Sequence, residues 1–387
     1  MKLVMTLLAR DEADVIATNV EYHLAQGVDL IVATANNSED GTYEALEHYA
    51  REGHVHLIWE PSDDYAQGPW VTRMARLAAT EHGADWVMHG DADEFWWPRE
   101  GTLKEIFATV PEEYGLLYVP TNAFVPRAAE AGSFLERMVV AEVASVMGSG
   151  RPHPPKIAHR AVADVEVAFG NHSATGTGLT PVPGWQPIEI MHFPMRSYAQ
   201  YERKVRNGGK ALRTNPEKVY EPLKVQYRLW EAGELPEHYA AEKTVSDEDV
   251  EAGLRDGRLL VDRRLQRFLA DSGLAGSDES DLPGPGPATC ARPLVPVNRE
   301  QLRVTAIRAI DEQRRRERTE ERLLARAEAQ VVKAERRAER AERGRDKVSE
   351  RLGTLERGAW WRLGLRLSAL RALSPARRLA ARLRARP

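Results

Sequence analysis

The sequence predicts an α/β protein, built on a doubly wound, mostly parallel sheet and continued by a helical extension and a coiled coil. Two observations predict the sheet. Four short apolar runs, 3–8 (LVMTLL), 30–34 (LIVAT), 54–59 (HVHLIW) and 85–89 (DWVMH), alternate with three stretches of helical period. Each run is closed by glycine or by a cluster of polar turn residues. A third observation, a heptad pattern beyond residue 299, predicts the extension.

The run 3–8 is apolar without alternation, as in a strand covered on both faces. Residues 11–26 then place Val15, Ile16, Val20, His23 and Leu24 at helical spacing, and Gly27 ends that helix. After the second strand, NNSEDGT is a turn that opens the helix TYEALEHYA, with Asp40 placed to cap it. Residues 68–81 turn Val71, Met74, Ala75 and Ala78 to one side, which predicts a third helix ahead of the fourth strand. In open sheets of this kind ligands lie beyond the carboxyl ends of the strands. HGDADEFWWP, residues 89–98, stands at such an end.

Beyond a helix at 103–108 the texture changes, with LLYVPTNAFVPR, FLERMVVAEV, PPKIAHRAV and IEIMHFP reading as β pieces between Gly and Pro. These suggest an acceptor-side subdomain. A basic helix follows at 197–212 and a helical hairpin at 247–270, then a Pro/Gly linker at 276–296. Positions 324, 331, 338, 345 and 352 with 327, 334, 341, 348 and 355 form an unbroken heptad, read equally well as a coiled-coil seam or as a solitary Glu/Arg-rich helix. The last segment mixes Trp360, Trp361 and leucines with nine arginines from Arg357 onward, as an interfacial helix does on anionic lipid, or else is a frayed basic tail. The domains expected are 1–225, a catalytic α/β domain; 226–275, a helical extension; 276–298, the linker; 299–358, the charged helix or coiled coil; and 359–387, the basic amphipathic tail.

Composition narrows the function. The first 310 residues hold 31 Lys+Arg against 46 Asp+Glu and the remainder 23 against 12, so the acidic body argues against nucleic acid while the tail suits an anionic surface. The single Cys290 can form no internal disulfide, which fits a reducing compartment. No apolar stretch approaches the ~20 residues of a membrane span, so the expected location is cytoplasmic, with peripheral association at the inner membrane face.

The chemistry concentrates in the acidic loop. Asp91 and Asp93, one residue apart after a strand, can both reach one hard cation, and carboxylate oxygens suit Mg²⁺ or Mn²⁺. A hydrated acidic turn is the plainer alternative. RDEAD at 10–14, the "YH…G" stretch from Tyr22 to Gly27, and DWVMHGDADEFWWP occur in order. Together they resemble the GT-A glycosyltransferases of family 2, in a bacterial branch, over roughly residues 1–225. That resemblance implies a Rossmann-like nucleotide half, a nucleotide-sugar donor, a divalent metal (Mn²⁺ or Mg²⁺) on the D-x-D motif, and inversion at the anomeric carbon. It puts Asp91 nearer the ribose or metal, Asp93 as direct metal ligand, and Arg10 and Glu12 at the nucleoside pocket. The family reads aspartate where this chain has Ala35, next to Asn36, while Asp40 keeps its place.

PPKIAHR, FGNHS and MHFPMRSYAQYERKVRNGG also resemble segments of that branch. His192 is the expected third metal ligand, with His172 its competitor. Lys156, Arg196 and Lys204 are expected to face the diphosphate, and Gln67, Trp70 and Arg73 to line the donor pocket. The catalytic base stays open among Glu94, nearest the metal loop, and Asp164, Glu166 and Glu189. The leading expectation is a metal-dependent glycosyltransferase acting on a glycan or lipid-linked acceptor, with a homo-oligomer through the coiled coil. A transferase-like domain retired to binding or assembly is the alternative that Ala35 favours. A nucleotidyltransferase is less favoured, because LLARDEAD lacks the Gly-rich basic loop that cradles a triphosphate.

Overall fold

The structure, a computed structural model, describes residues 1–63, 66–127, 132–145, 152–214, 221–274 and 299–357. The expected linker at 276–298 and the basic tail at 359–387 lie outside the described residues. Two compact units divide the chain, Met1–Gln313 and Arg314–Pro387.

The first unit begins with β1 (Leu3–Ala9), α1 (Ile16–Ala25), β2 (Leu30–Asn36), α2 (Thr42–Arg51), β3 (Val55–Glu60), α3 (Gln67–Thr80) and β4 (Trp86–Asp91). β5 (Glu94–Pro98), α4 (Leu103–Thr109), β6 (Leu116–Val119), β7 (Thr121–Ala123), α5 (Phe134–Arg137), β8 (Val140–Glu142) and β9 (Lys156–Arg160) follow. Next come β10 (Glu166–Val167), β11 (Ala174–Thr175), β12 (Ile188–His192), α6 (Tyr198–Thr214), α7 (Glu221–Ala232), α8 (Leu235–Glu242), α9 (Asp247–Asp256), β13 (Leu259–Val261) and α10 (Arg264–Asp271). The long helix α11 (Arg299–Arg357) ends the described chain.

The main sheet has the order β3-β2-β1-β4-β9-β6. Its first four strands are parallel, as the apolar runs imply, and β9 and β6 extend it antiparallel. Alternation along β1 sends Leu3, Met5, Leu7 and Ala9 to one face, under α1, α2 and α4, while Val4 packs with Val32, Val87 and the α3 residues Val71, Met74 and Ala78 on the other. Both faces are dry along β1, β2 and β4, which is why these strands read as continuous apolar runs. The chain passes from β1 outward to β3 and returns to the far side of β1 as β4, so the strand order reverses between β1 and β4. The loops after these two strands therefore share one crevice at the carboxyl edge.

A smaller sheet, β5-β12-β7, stands beside that edge. β12 runs antiparallel to β5 with His192 opposite Glu94, so the chain leaving the acidic loop is held by the strand that carries the histidine. Two segments differ from expectation. Phe134–Arg137, read as β, is a helical turn, because Glu136 accepts the Ser133 backbone N–H at 3.0 Å and starts a helix instead. The hairpin at 247–270 contains β13, since Leu259–Val261 pairs antiparallel with β8 between α9 and α10. The first turns of α11 belong to the compact body, with Leu302, Ala306 and Ile310 buried at four-residue spacing. Among the described residues no helix is long and apolar enough to cross a membrane.

The inner face of α1 clasps the acidic loop. Asn19 donates to the carbonyls of Ala92 (3.0 Å) and Glu94 (2.9 Å), and the Tyr22 hydroxyl donates to the Trp96 carbonyl at 3.0 Å. His23 lies 2.8 Å from the Asn19 carbonyl through Nδ1, and its Nε2 accepts the Trp96 N–H at 3.3 Å. These two partners require the neutral ring protonated at Nδ1. Burial holds the His23 pKa down to about 4. In the unfolded chain the ring takes its proton near pH 6.5, so between these values the unfolded state binds more protons. The stability that His23 contributes is therefore present above pH ~6.5 and lost as pH falls toward 4, by about 3 kcal/mol in all. Urea unfolding followed from pH ~7 to pH ~4.5 should show a shallower loss for His23→Gln than for the unaltered protein. Equal slopes for the two proteins would refute this role.

Candidate active site

The crevice residues come from five places: the β1–α1 loop, the β4–β5 turn, the start of β9, the end of β12, and α6. Antiparallel pairing of β9 with β4 brings Lys156 beside the acidic turn. Its ammonium lies 2.5 Å from Asp91 Oδ2 and 3.1 Å from Glu94 Oε1, almost wholly buried. Burial alone would depress this lysine, but Asp91 and Glu94 outweigh it and keep the ammonium charged well above its ordinary range. Glu94 is also buried, and burial raises its carboxyl despite Lys156. Its other oxygen accepts the Asp91 backbone N–H at 3.3 Å, closing the turn on itself. Asp91 is 31% exposed, and its second oxygen lies 3.4 Å from the Asn171 amide.

Asp93 has a different set of partners. The backbone N–H of Phe193 donates to the Asp93 carbonyl at 2.9 Å, which fixes the turn against the end of β12. His192 Nε2 then stands 3.5 Å from Asp93 Oδ1, with Lys204 Nζ at 3.8 Å and Arg196 Nη1 at 3.9 Å from Oδ2. Burial pushes the Asp93 carboxyl up, yet His192, Lys204 and Arg196 together hold it well below the usual carboxylate range. His192 responds in kind: burial lowers its pKa, and Asp93 more than reverses this and raises it.

Arg196 is 1% exposed and ties the crevice to the β1–α1 loop. It pairs with Glu12, and its Nε and Nη2 donate to Asp14 at 2.7 and 2.8 Å, while Nη1 donates to the Phe193 carbonyl at 3.1 Å. This guanidinium is occupied on all sides and acts as a brace. Asp11, at φ 54°, is buried as well, accepting the Glu39 N–H at 2.8 Å and the Asn207 amide from α6.

Arg10 reaches sideways along the edge, with Nη2 2.7 Å from Asp63 and Nη1 donating to Asn36 at 3.4 Å. Asn36 in turn donates to the carbonyls of Glu60 (3.1 Å) and Ser62 (2.6 Å). Ala35 is fully buried within β2, opposite Ala9 and Trp59. Asp40 accepts the Thr42 N–H at 3.1 Å and the Ala13 N–H at 3.0 Å, so it organises the entry to α2 and links that turn to the β1–α1 loop.

Gln67 and Arg73 lie apart from the acidic turn, in a groove of about 850 Å³ along α3 shared with Arg76, Glu166 and Phe169. Gln67 Oε1 accepts the Gly170 N–H at 3.2 Å and so steadies the segment that carries Asn171 toward Asp91. Arg73 pairs with Glu60 at 3.4 Å, and Trp70 is buried. His172 is engaged through Nδ1 with the Pro155 carbonyl at 3.0 Å, so His192 is the histidine beside Asp93. The other carboxylates weighed as bases have their own partners. Asp164 accepts from Thr177, Glu166 is exposed with Arg76 at 3.7 Å, and Glu189 binds Arg264 at 2.6 Å and Asn122 at 3.2 Å.

Among the described residues no three His, Cys, Asp or Glu side chains group so as to hold a metal ion. Asp91, Asp93 and His192 split between two charge sets, Asp91 with Lys156 and Asp93 with His192. Sequence reasoning overlooked Asp11, Asp14, Asn19, Asn171 and Asn207. Asp11 and Asp14 lie inside the quoted RDEAD stretch, and Asn19 is a polar residue on an otherwise apolar helix face, which was a readable signal.

Residues 5–119, less than a third of the chain, match the family model described as glycosyltransferase family 92. Family 2, to which the RDEAD and DADEF stretches pointed, is not the family whose model matches. No curated protein sequence matches. Among solved structures, S. aureus TarS 1-349 in complex with UDP-GlcNAc is similar at 12% identity and a TM-score of 0.33, over 62% of this chain and 73% of that one. Glucosyl-3-phosphoglycerate synthase from Mycobacterium tuberculosis, in complex with Mn²⁺, UDP and glucosyl-3-phosphoglycerate, is similar at 18% identity and a TM-score of 0.23, over 33% and 44%. Superpositions this slight carry no argument about the present chain.

The brace has a measurable weight. Arg196→Met leaves Glu12 and Asp14 without their buried counter-charge, and should lower unfolding free energy by about 3–5 kcal/mol at neutral pH in urea. A loss below about 1 kcal/mol, the value of an exposed pair, would show that the brace contributes little.

Proposed function

We propose that this protein is a glycosyltransferase that moves a sugar from a nucleotide-sugar donor to a hydroxyl of a glycan or lipid-linked acceptor. One observation carries the reading: Asp91, Asp93 and Glu94 stand at the carboxyl end of β4, at the strand-order reversal, with Lys156, His192 and Lys204 gathered around them. The family match over residues 5–119 covers this strand and its loop and supports the same chemistry.

Within that reading, Lys204 is placed for the diphosphate, since it is half exposed at the rim and points its ammonium toward Asp93. Lys156 and Arg196 act one step behind, holding Asp91 with Glu94 and the β1–α1 loop with α6. Arg10 and Asn36, at the ends of β1 and β2, border the space for the nucleoside. Glu94 is a positioning residue, because both its oxygens are engaged within the turn.

The donor chemistry of Asp93 with His192, one carboxylate and one imidazole side by side, fits a divalent cation such as Mn²⁺ or Mg²⁺. Asp93 and His192 would hold it, whereas Asp91 would join only by giving up Lys156. A bound cation supplies Lewis-acid neutralisation of the departing nucleoside diphosphate. The fixed positive groups do related work at a developing negative charge, and they need no reorganisation during reaction.

A donor panel tests this. With Mn²⁺ or Mg²⁺ supplied, the protein should turn over a nucleotide sugar and show a thermal shift with the matching nucleoside diphosphate. Asp93→Asn should lower kcat by about 10²-fold or more with the far-ultraviolet circular dichroism unchanged. A protein indifferent to every nucleoside diphosphate would instead be a retired transferase fold kept for binding. Undiminished activity in excess chelator would remove the cation from the reading and leave the transferase intact.

A further inference from the structure

In the second unit the α11 side chains from Arg314 to Arg351 are exposed. Leu324 is 64% exposed, Val331 57% and Val348 59%. These three share a seam of 3.5-residue period with Ala327, Ala334, Ala338 and Ala341. An apolar stripe on a helix is stabilised by burial against another element.

The charges beside the seam say which element. On the flank that follows the seam stand Glu328, Glu335 and Glu342, three acids in succession, and then Ser349. On the flank that precedes it stand Leu323, Gln330, Arg337, Gly344 and Arg351, with no acid among them. In a parallel, in-register pair of helices, the preceding flank of one meets the following flank of the other five residues on. That places Arg337 against Glu342 of the second copy and Gln330 against Glu335 of the second copy, each twice by symmetry. In an antiparallel pair like flanks meet, so glutamates would oppose glutamates. We infer that Leu324–Arg351 of one chain forms a parallel, in-register two-stranded coiled coil with a second copy of the same chain.

The remaining seam residues agree with this pairing. Four alanines allow close approach of the two backbones, and Leu324, Val331 and Val348 supply most of the apolar burial. Arg345, polar within the seam, costs stability and fixes register. Charged pairs such as Arg343 with Glu339, at 3.6 Å, lie on the opposite face and stabilise the single helix.

The inference does not depend on the transferase reading, and the full-length protein tests it. Sedimentation equilibrium should give a dimer, and Leu324→Glu with Val331→Glu should give a monomer with unchanged melting of the first unit. Arg337→Glu should weaken dimerisation by about tenfold through two lost pairs and two new repulsions, and adding Glu342→Arg should restore it. For direction, Val331→Cys in a Cys290→Ser background should yield a disulfide-linked dimer on mild oxidation, because in-register seam positions face each other. A monomer at every concentration overturns the inference. So does a dimer indifferent to the seam substitutions, and so does a dimer in which Val331→Cys fails to cross-link.

Discussion

Asp93 keeps its negative charge in a place where burial by itself would protonate it, because a histidine, a lysine and an arginine converge on one carboxylate. None of the three comes from the neighbourhood of Asp93 in sequence. His192 arrives on β12, Arg196 in the turn that follows, and Lys204 on α6. The β5–β12 pairing must form before this charge is tolerable, and the Arg196 brace then commits the β1–α1 loop to the same arrangement through Glu12 and Asp14. Removing one member of such a cluster leaves a buried charge unmatched, so the crevice has strong reason to assemble as a unit.

The backbone of the acidic turn raises a second demand, since a buried turn leaves carbonyls and N–H groups that water cannot reach. Three residues of α1 at helical spacing, Asn19, Tyr22 and His23, meet it from beneath. The same helix supplies Ile16 and Val20 to the core, so one short element both packs the sheet and sets the height of the acidic turn above it. Close fit continues at Gly90, where a Cβ would come within 2.3 Å of the Met5 side chain. The strand carrying Asp91 therefore lies tight against β1, and this packing brings together the two loops at their ends.

Much of this frame was legible in the sequence, for a physical reason. Strands buried on both faces and helices with one buried face leave periodic signatures, so β1 to β4 and α1 to α3 were readable to within a residue or a few. The acidic loop was readable because three carboxylates among aromatics call for compensation. What provides the compensation was not. The sequence puts Lys156 and Arg196 toward the diphosphate or on the surface, and does not say which carboxylates they meet once β9 and the turn after β12 carry them inward, to 6% and 1% exposure. Short elements fared worse: β13 has three residues and pairs with a strand more than a hundred positions earlier, and no local periodicity encodes that contact. Asn19 went unnoticed among the apolar residues of its helix, although a lone amide on such a face asks for a buried partner.

The two aspartates of the loop, alike in sequence, end in chemically different positions. Asp91 is the last residue of β4, where the antiparallel neighbour β9 supplies a lysine, while Asp93 lies past the turn, where β12 supplies an imidazole. An ammonium cannot be exchanged for a ligand without leaving two acids, the buried Glu94 and the partly exposed Asp91, in need of another positive charge. An imidazole gives up its proton far more readily and then offers a lone pair to whatever cation replaces it. The asymmetry runs through a four-residue turn: Lys156 holds Asp91 and Glu94 on one side, and His192, Arg196 and Lys204 gather around Asp93 on the other.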